Sequence, residues 1–214
     1  MDSLLSTHRR ESAYQWALWL AFFTIVYNLV EGSVATALGY ADESLALFGF
    51  GVDSFIELIS GVGIVQMIWR LRRQPDSERG RLEKTALRIT GTAFYLLVLG
   101  LVGTSLYHLY IGHRPETTYW GVVISSVSIV IMALLVWQKR RVGRLLDSEP
   151  ILADANCTMA CLYMSVILLL SSGVYALWGW PYVDSLGTLG LAFYAFREGR
   201  ECFEKVQSEK YCAC

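Results

Sequence analysis

Gly49-Phe50-Gly51-Val52-Asp53-Ser54-Phe55-Ile56-Glu57-Leu58-Ile59-Ser60-Gly61 sets two carboxylates four residues apart inside an otherwise apolar run. On a helix, residues at that spacing share one face about 6 Å apart. An acid near the centre of a bilayer costs a few kcal/mol, so it faces a bundle interior or a watery cavity and marks an ion path or proton relay. A second stretch, Asp154-Ala155-Asn156-Cys157-Thr158-Met159-Ala160-Cys161, repeats the spacing with thiols. The two helices are expected to meet.

The surrounding chain supports a membrane setting. Of 214 residues 54% are hydrophobic and 17% charged, too apolar for an ordinary soluble domain of this length. A net charge of −1 carries no nucleic-acid footprint and no acidic tail, so the distribution of charge is the informative quantity. Five cysteines fall as the Cys157/Cys161 pair and a Cys202, Cys212, Cys214 group. That grouping is not a disulfide framework, and close pairs point to metal ligation or redox work.

Six apolar runs follow one another at about 14–37, 44–69, 86–110, 119–137, from Ile151 to the aromatic cluster Trp178-Gly179-Trp180-Pro181, and 182–202. Each approaches or exceeds the roughly 20 residues that cross a bilayer core as helix. The first run, with its basic start and Ala35-Thr36-Ala37, mimics a cleaved signal peptide, but it is too long and carries Asn28 and Glu31. Pro181 turns the fifth and sixth runs into a tight hairpin. With the N-terminus cytoplasmic, one side receives Arg9, Arg10, the basic segment 70–88, Lys139, Arg140, Arg141, Arg144, Arg197, Arg200, Lys205 and Lys210, and the other only Arg114. The positive-inside rule then places both termini in the cytoplasm. The expectation is an all-α membrane protein: a six-transmembrane-helix bundle with a cytoplasmic segment at 1–13, a transport domain at 14–204 and a short cysteine-containing cytoplasmic tail at 205–214. Multi-pass insertion in the cell (inner or plasma) membrane follows.

Asp53, Glu57, Cys157 and Cys161 form the expected metal site. The second run descends from outside and the fifth ascends from inside, so antiparallel packing brings Glu57 toward Cys157 and Asp53 toward Cys161, within one turn. Two thiolates with two carboxylates suit Zn²⁺, with Cd²⁺ as a softer competitor, whereas Mg²⁺ or Ca²⁺ would call for oxygen alone. Metal loading expels protons and reprotonation ejects the metal, which is the physical basis of an antiport. Metal ion and proton are substrates here, no permanent cofactor is expected, and the bilayer is the principal partner. Asn28, Glu31, Asp154 and Asn156 are candidates for relay or supporting contacts. Asp184 is expected at the interface or capping its own helix. The tail thiols are either soft-metal collectors or a solvated terminus.

A second reading from another class is a membrane thiol oxidoreductase that uses Cys157 and Cys161 as a redox pair. It has no use for Asp53 or Glu57, and redox pairs favour a Cys-x-x-Cys at a helix N-terminus. An accessory subunit, the third reading, predicts that all four residues are replaceable.

Gly49 to Ser60 and Ala153-Asp154-Ala155-Asn156-Cys157-Thr158-Met159-Ala160-Cys161 resemble the second and fifth transmembrane helices of the cation diffusion facilitator family. Those helices each carry a His/Asp-x-x-x-Asp pair, onto which Asp53/Glu57 and Cys157/Cys161 fall. The resemblance implies a transporter, not an enzyme: export of a divalent transition metal from the cytoplasm in exchange for protons, by alternating access, commonly as a homodimer. The chain departs from the family by its cysteines, which push the metal toward Zn²⁺, Cd²⁺ or another soft ion. Neither the His-rich loop nor the C-terminal cytoplasmic domain of many members is expected in it.

Overall fold

In the computed structural model the chain forms six helices: α1 (Asp2–Ala41), α2 (Leu45–Arg73), α3 (Arg81–Ile111), α4 (Tyr119–Leu146), α5 (Glu149–Trp178) and α6 (Val183–Gln207). The structure describes residues 2–73, 81–112, 119–180 and 182–207, and no strand occurs among them. Arg114, Pro181, Cys212 and Cys214, which enter the expectations on topology, hairpin and tail, lie outside the described residues.

Five of the helices contain stretches long and apolar enough to cross a membrane: Glu11–Ala41, Leu45–Gly63, Leu87–Ile111, Tyr119–Leu146 and Asp154–Trp178. Helix α6 carries Asp184, Arg197, Glu198, Arg200, Glu201, Glu204 and Lys205, which lower its hydropathy. It is nonetheless part of the bundle, packed on α3 and α5. The helices pair most extensively as α1 with α2, α4 with α5, and α3 with α6. Large apolar side chains point outward all round, among them Trp19 (66% exposed), Leu99 (71%) and Leu170 (62%). An outward apolar face of this kind belongs against lipid tails.

One end of the bundle holds the α1–α2 and α5–α6 turns, and the other holds the α4–α5 turn. In the first turn Glu43 adopts a left-handed φ of 54°, and Ser44 Oγ accepts from Leu47 N at 3.3 Å as a cap on α2. Asp184 completes that cap from α6, accepting from Ser44 Oγ at 2.6 Å and from Leu45 N at 2.9 Å. Its partner is therefore the start of α2, where an anion is favoured, in addition to its place in the first turn of its own helix. Gly179 closes α5 with φ 61°, its N–H bonding Tyr175 O at 2.8 Å.

Close approach of α1 and α2 sets the register of the site. A Cβ on Gly51 would lie 2.4 Å from Thr36 N, and one on Gly39 would lie 2.4 Å from Phe48 N. Backbone contacts of this kind let small-residue helices pack without side chains between them. Gly51→Ala is expected to push the two helices apart and cost about 1–3 kcal/mol, read as a lower unfolding midpoint in detergent. Gly100→Ala, whose Cβ meets nothing within 4 Å, is expected to be neutral or stabilising, since Ala is the better helix former.

Candidate metal centre

The α1–α2 register stacks Asn28 beside Glu57, and Glu31 one turn nearer the α1–α2 turn beside Ser54. Helix α5 crosses the same seam. Glu57 is the meeting point of three helices: Oε2 accepts from Asn28 Nδ2 of α1 at 3.2 Å, and Oε1 accepts from the Cys161 thiol of α5. Cys161 is free and buried. The expectation that α2 and α5 meet through carboxylate and thiol corresponds to this contact, but one turn displaced: Glu57 faces Cys161, not Cys157. Span ends located by hydropathy carry that uncertainty, and the close α1–α2 packing decides between the two registers.

Asp53 is 3% exposed and its Oδ1 is buried with no hydrogen-bond partner. Asn28, 2% exposed, has its Oδ1 in the same condition. No ion pair reaches Asp53, Glu57 or Glu31 among the described residues. Nor do three His, Cys, Asp or Glu side chains stand together there in metal-holding array. The seam therefore offers a paired carboxylate and thiol, a second acid, and two buried oxygens without partners.

Cys157 lies one turn from Cys161, away from the Glu57 contact. It is disulfide-bonded, and its sulfur is 3.9 Å from Lys205 Nζ of α6. Cys157 and Cys161 are thus not joined to each other, as the redox reading would have them.

Glu31, 6% exposed, accepts from Tyr27 Oη at 2.7 Å and from Ser54 Oγ at 3.2 Å. Ser128 of α4 and Ser165 of α5 share a hydrogen bond of 2.9 Å. These hydroxyls continue the polar seam between the helices beyond Glu57.

Asp154 and Asn156 do not reach the seam; both turn to α4. Lys139 Nζ is 2.9 Å from Asp154 Oδ1 and 2.9 Å from Thr158 Oγ1, while Arg140 Nη2 donates to Asn156 Oδ1 at 3.4 Å. Lys139, counted with the cytoplasmic surface charges on the sequence, is 1% exposed. The signal was available in its spacing. Ser125, Ser128, Met132, Leu135, Lys139, Val142 and Leu146 are among the buried positions of α4, a helical repeat that puts Lys139 on the inward face. Tyr27, Ser54 and Thr158 gave no signal of their own, because hydroxyls are common on any helix, and Lys205, like Lys139, counts on the sequence only as a cytoplasmic charge.

Comparisons with known proteins agree with this architecture. The family model described as the cation efflux transmembrane domain matches residues 21–208. Over 171 residues the chain is 25% identical to Transmembrane protein 163 of Xenopus laevis, covering 80% of this chain and 60% of that protein. An uncharacterized transporter of Synechocystis is 22% identical over 170 residues, covering 77% of this chain and 54% of its own length. Another, from Methanocaldococcus jannaschii, is 24% identical over 152 residues, with 68% and 53% covered. The chain thus spans between half and two thirds of the length of these relatives.

Proposed function

The chain belongs to the cation efflux family, and on that premise we propose that it exports a divalent transition-metal ion from the cytoplasm in exchange for protons. Zn²⁺ is the favoured cargo and Cd²⁺ the competitor. The observation that carries this reading is the hydrogen bond from the Cys161 thiol to Glu57, which holds a proton between two groups that are both metal ligands when deprotonated. An arriving ion takes the proton's place and draws Asp53 to it. The released proton passes toward Glu31, whose carboxylate is held by Tyr27 and Ser54 one turn along the seam. Return of a proton to the thiol weakens its hold on the metal and ejects it. A thiol donor steers the site toward soft or borderline metals and away from Mg²⁺ and Ca²⁺.

Asp53, Glu57 and Cys161 are the working ligands of this proposal; Cys157, the fourth member in the spacing argument, is disulfide-bonded and stands outside the ligand set. Both termini face the cytoplasm of a cell membrane, in line with the Lys and Arg distribution. A homodimer is the assembly that the family resemblance implies.

Purified protein in proteoliposomes with an imposed pH gradient tests the proposal. Uptake of Zn²⁺ and Cd²⁺ is expected to run against the proton gradient and to collapse when a protonophore dissipates it, with Mg²⁺ and Ca²⁺ untransported. Gradient-independent uptake would remove the antiport, and uptake of none of the metals would remove the function.

A further inference from the structure

We propose that α1 supplies a metal ligand of its own, the side-chain amide oxygen of Asn28, which takes the place the sequence spacing assigns to Cys157. The inference rests on the transport reading above and deepens it by naming the donor set: Asp53, Glu57, Cys161 and Asn28.

Three observations carry it. First, Asn28 is fixed in the seam, because its Nδ2 donates to Glu57 Oε2 at 3.2 Å. Once the amide nitrogen is committed there, the oxygen is the group left over. Second, that oxygen is buried without a hydrogen-bond partner in a residue only 2% exposed. Buried carbonyl oxygens are almost always paired, and an unpaired one carries a desolvation penalty that a cation removes. Asp53 Oδ1 is in the same condition, as is Thr36 Oγ1 farther along the α1–α2 interface. Third, Cys157 is poorly placed for the task. It is disulfide-bonded, and the Lys205 ammonium sits 3.9 Å from its sulfur, where a fixed positive charge opposes a divalent ion.

Three oxygens and one sulfur make a harder site than two and two. The selectivity for Cd²⁺ over Zn²⁺ is therefore lower than the cysteine pair suggests, and α1 becomes a participant in the site.

Co²⁺ titration of the full-length protein in nanodiscs, followed by absorption and X-ray absorption spectroscopy, tests the assignment. Wild type is expected to show a single sulfur neighbour and oxygen otherwise; two sulfurs would overturn the proposal without any variant. Asn28→Leu, which keeps the bulk and loses the oxygen, is expected to weaken binding by about tenfold or more and to shift the cobalt d–d bands. Asn28→Asp retains an oxygen at the ligand position but loses the N–H to Glu57, so it is expected to hold or tighten binding with wild-type bands. If Asn28 merely positioned Glu57 through its N–H, Asn28→Asp would lose affinity as Asn28→Leu does, and the ligand assignment would be wrong. Cys157→Ser is expected to bind as wild type, and loss of binding there overturns the proposal. Asp53→Ala and Cys161→Ser separate the two levels of inference. If both weaken binding while Asn28→Leu does not, only the Asn28 assignment fails. If neither weakens binding, the seam is not the site and both fail.

Discussion

Glu57→Gln is expected to abolish metal transport, with uptake into proteoliposomes falling at least about 100-fold, while the protein still inserts and folds. Glu57 is the residue on which α1, α2 and α5 converge. The Gln amide keeps the shape and can still accept from Asn28 or Cys161, so the packing of the three helices survives. What is lost is the negative charge that offsets desolvation of a divalent ion inside the bundle and a strong oxygen ligand. Glu57→Ala is expected to lose transport equally and stability as well, since it strands the Asn28 amide and the Cys161 thiol without their partner. Comparing the two variants by uptake and by detergent unfolding separates the chemical role from the packing role. Wild-type uptake by Glu57→Gln would mean that the carboxylate is only a structural acceptor.

Lys139→Ala is expected to be the most destabilising single change outside the seam, by about 3–5 kcal/mol. The ammonium is 1% exposed and held at 2.9 Å by both Asp154 Oδ1 and Thr158 Oγ1. Its removal leaves the Asp154 carboxylate buried without a counter-charge. The reverse change, Asp154→Ala, strands the lysine and is expected to cost a similar amount. Replacing both, as Lys139→Met with Asp154→Leu, removes the charges together and is expected to recover most of the loss, because buried ion pairs often contribute little beyond an apolar pair of similar volume. Unfolding of wild type, Lys139→Met, Asp154→Leu and the double variant in mixed micelles gives the coupling directly. Additive losses in the double variant would show that the pair is not the link between α4 and α5.

Hydropathy made the helices legible because a bilayer demands long apolar runs, and α1 to α5 each contain one. Helix α6 is less apolar because Asp184 holds the start of α2 while Glu201 and Lys205 pair near its other end. Its six-run pattern was still readable from the turn residues before it. The site was legible in part. Acid and thiol pairs at helical spacing name the two helices that meet, but spacing alone cannot choose among registers one turn apart. The contact of Gly51 with Thr36 of α1 fixes α2 in a way no periodicity reveals, and with it the pairing of Glu57 with Cys161. Asn28 was visible as a polar residue in an apolar run, yet its orphaned oxygen is a property of packing. Lys139 illustrates the converse: a charge counted toward topology turned out to be bonded inside the bundle.

The central claim is that a metal ion replaces the proton shared by Cys161 and Glu57. Titration of Zn²⁺ into the nanodisc-embedded protein in weakly buffered solution, with a pH indicator, measures that exchange most directly. The expected result is release of at least about one proton per bound ion, affinity rising with pH, and loss of the proton signal in Cys161→Ser. Stoichiometric binding with no proton released, and with the same affinity across that pH range, would contradict the account.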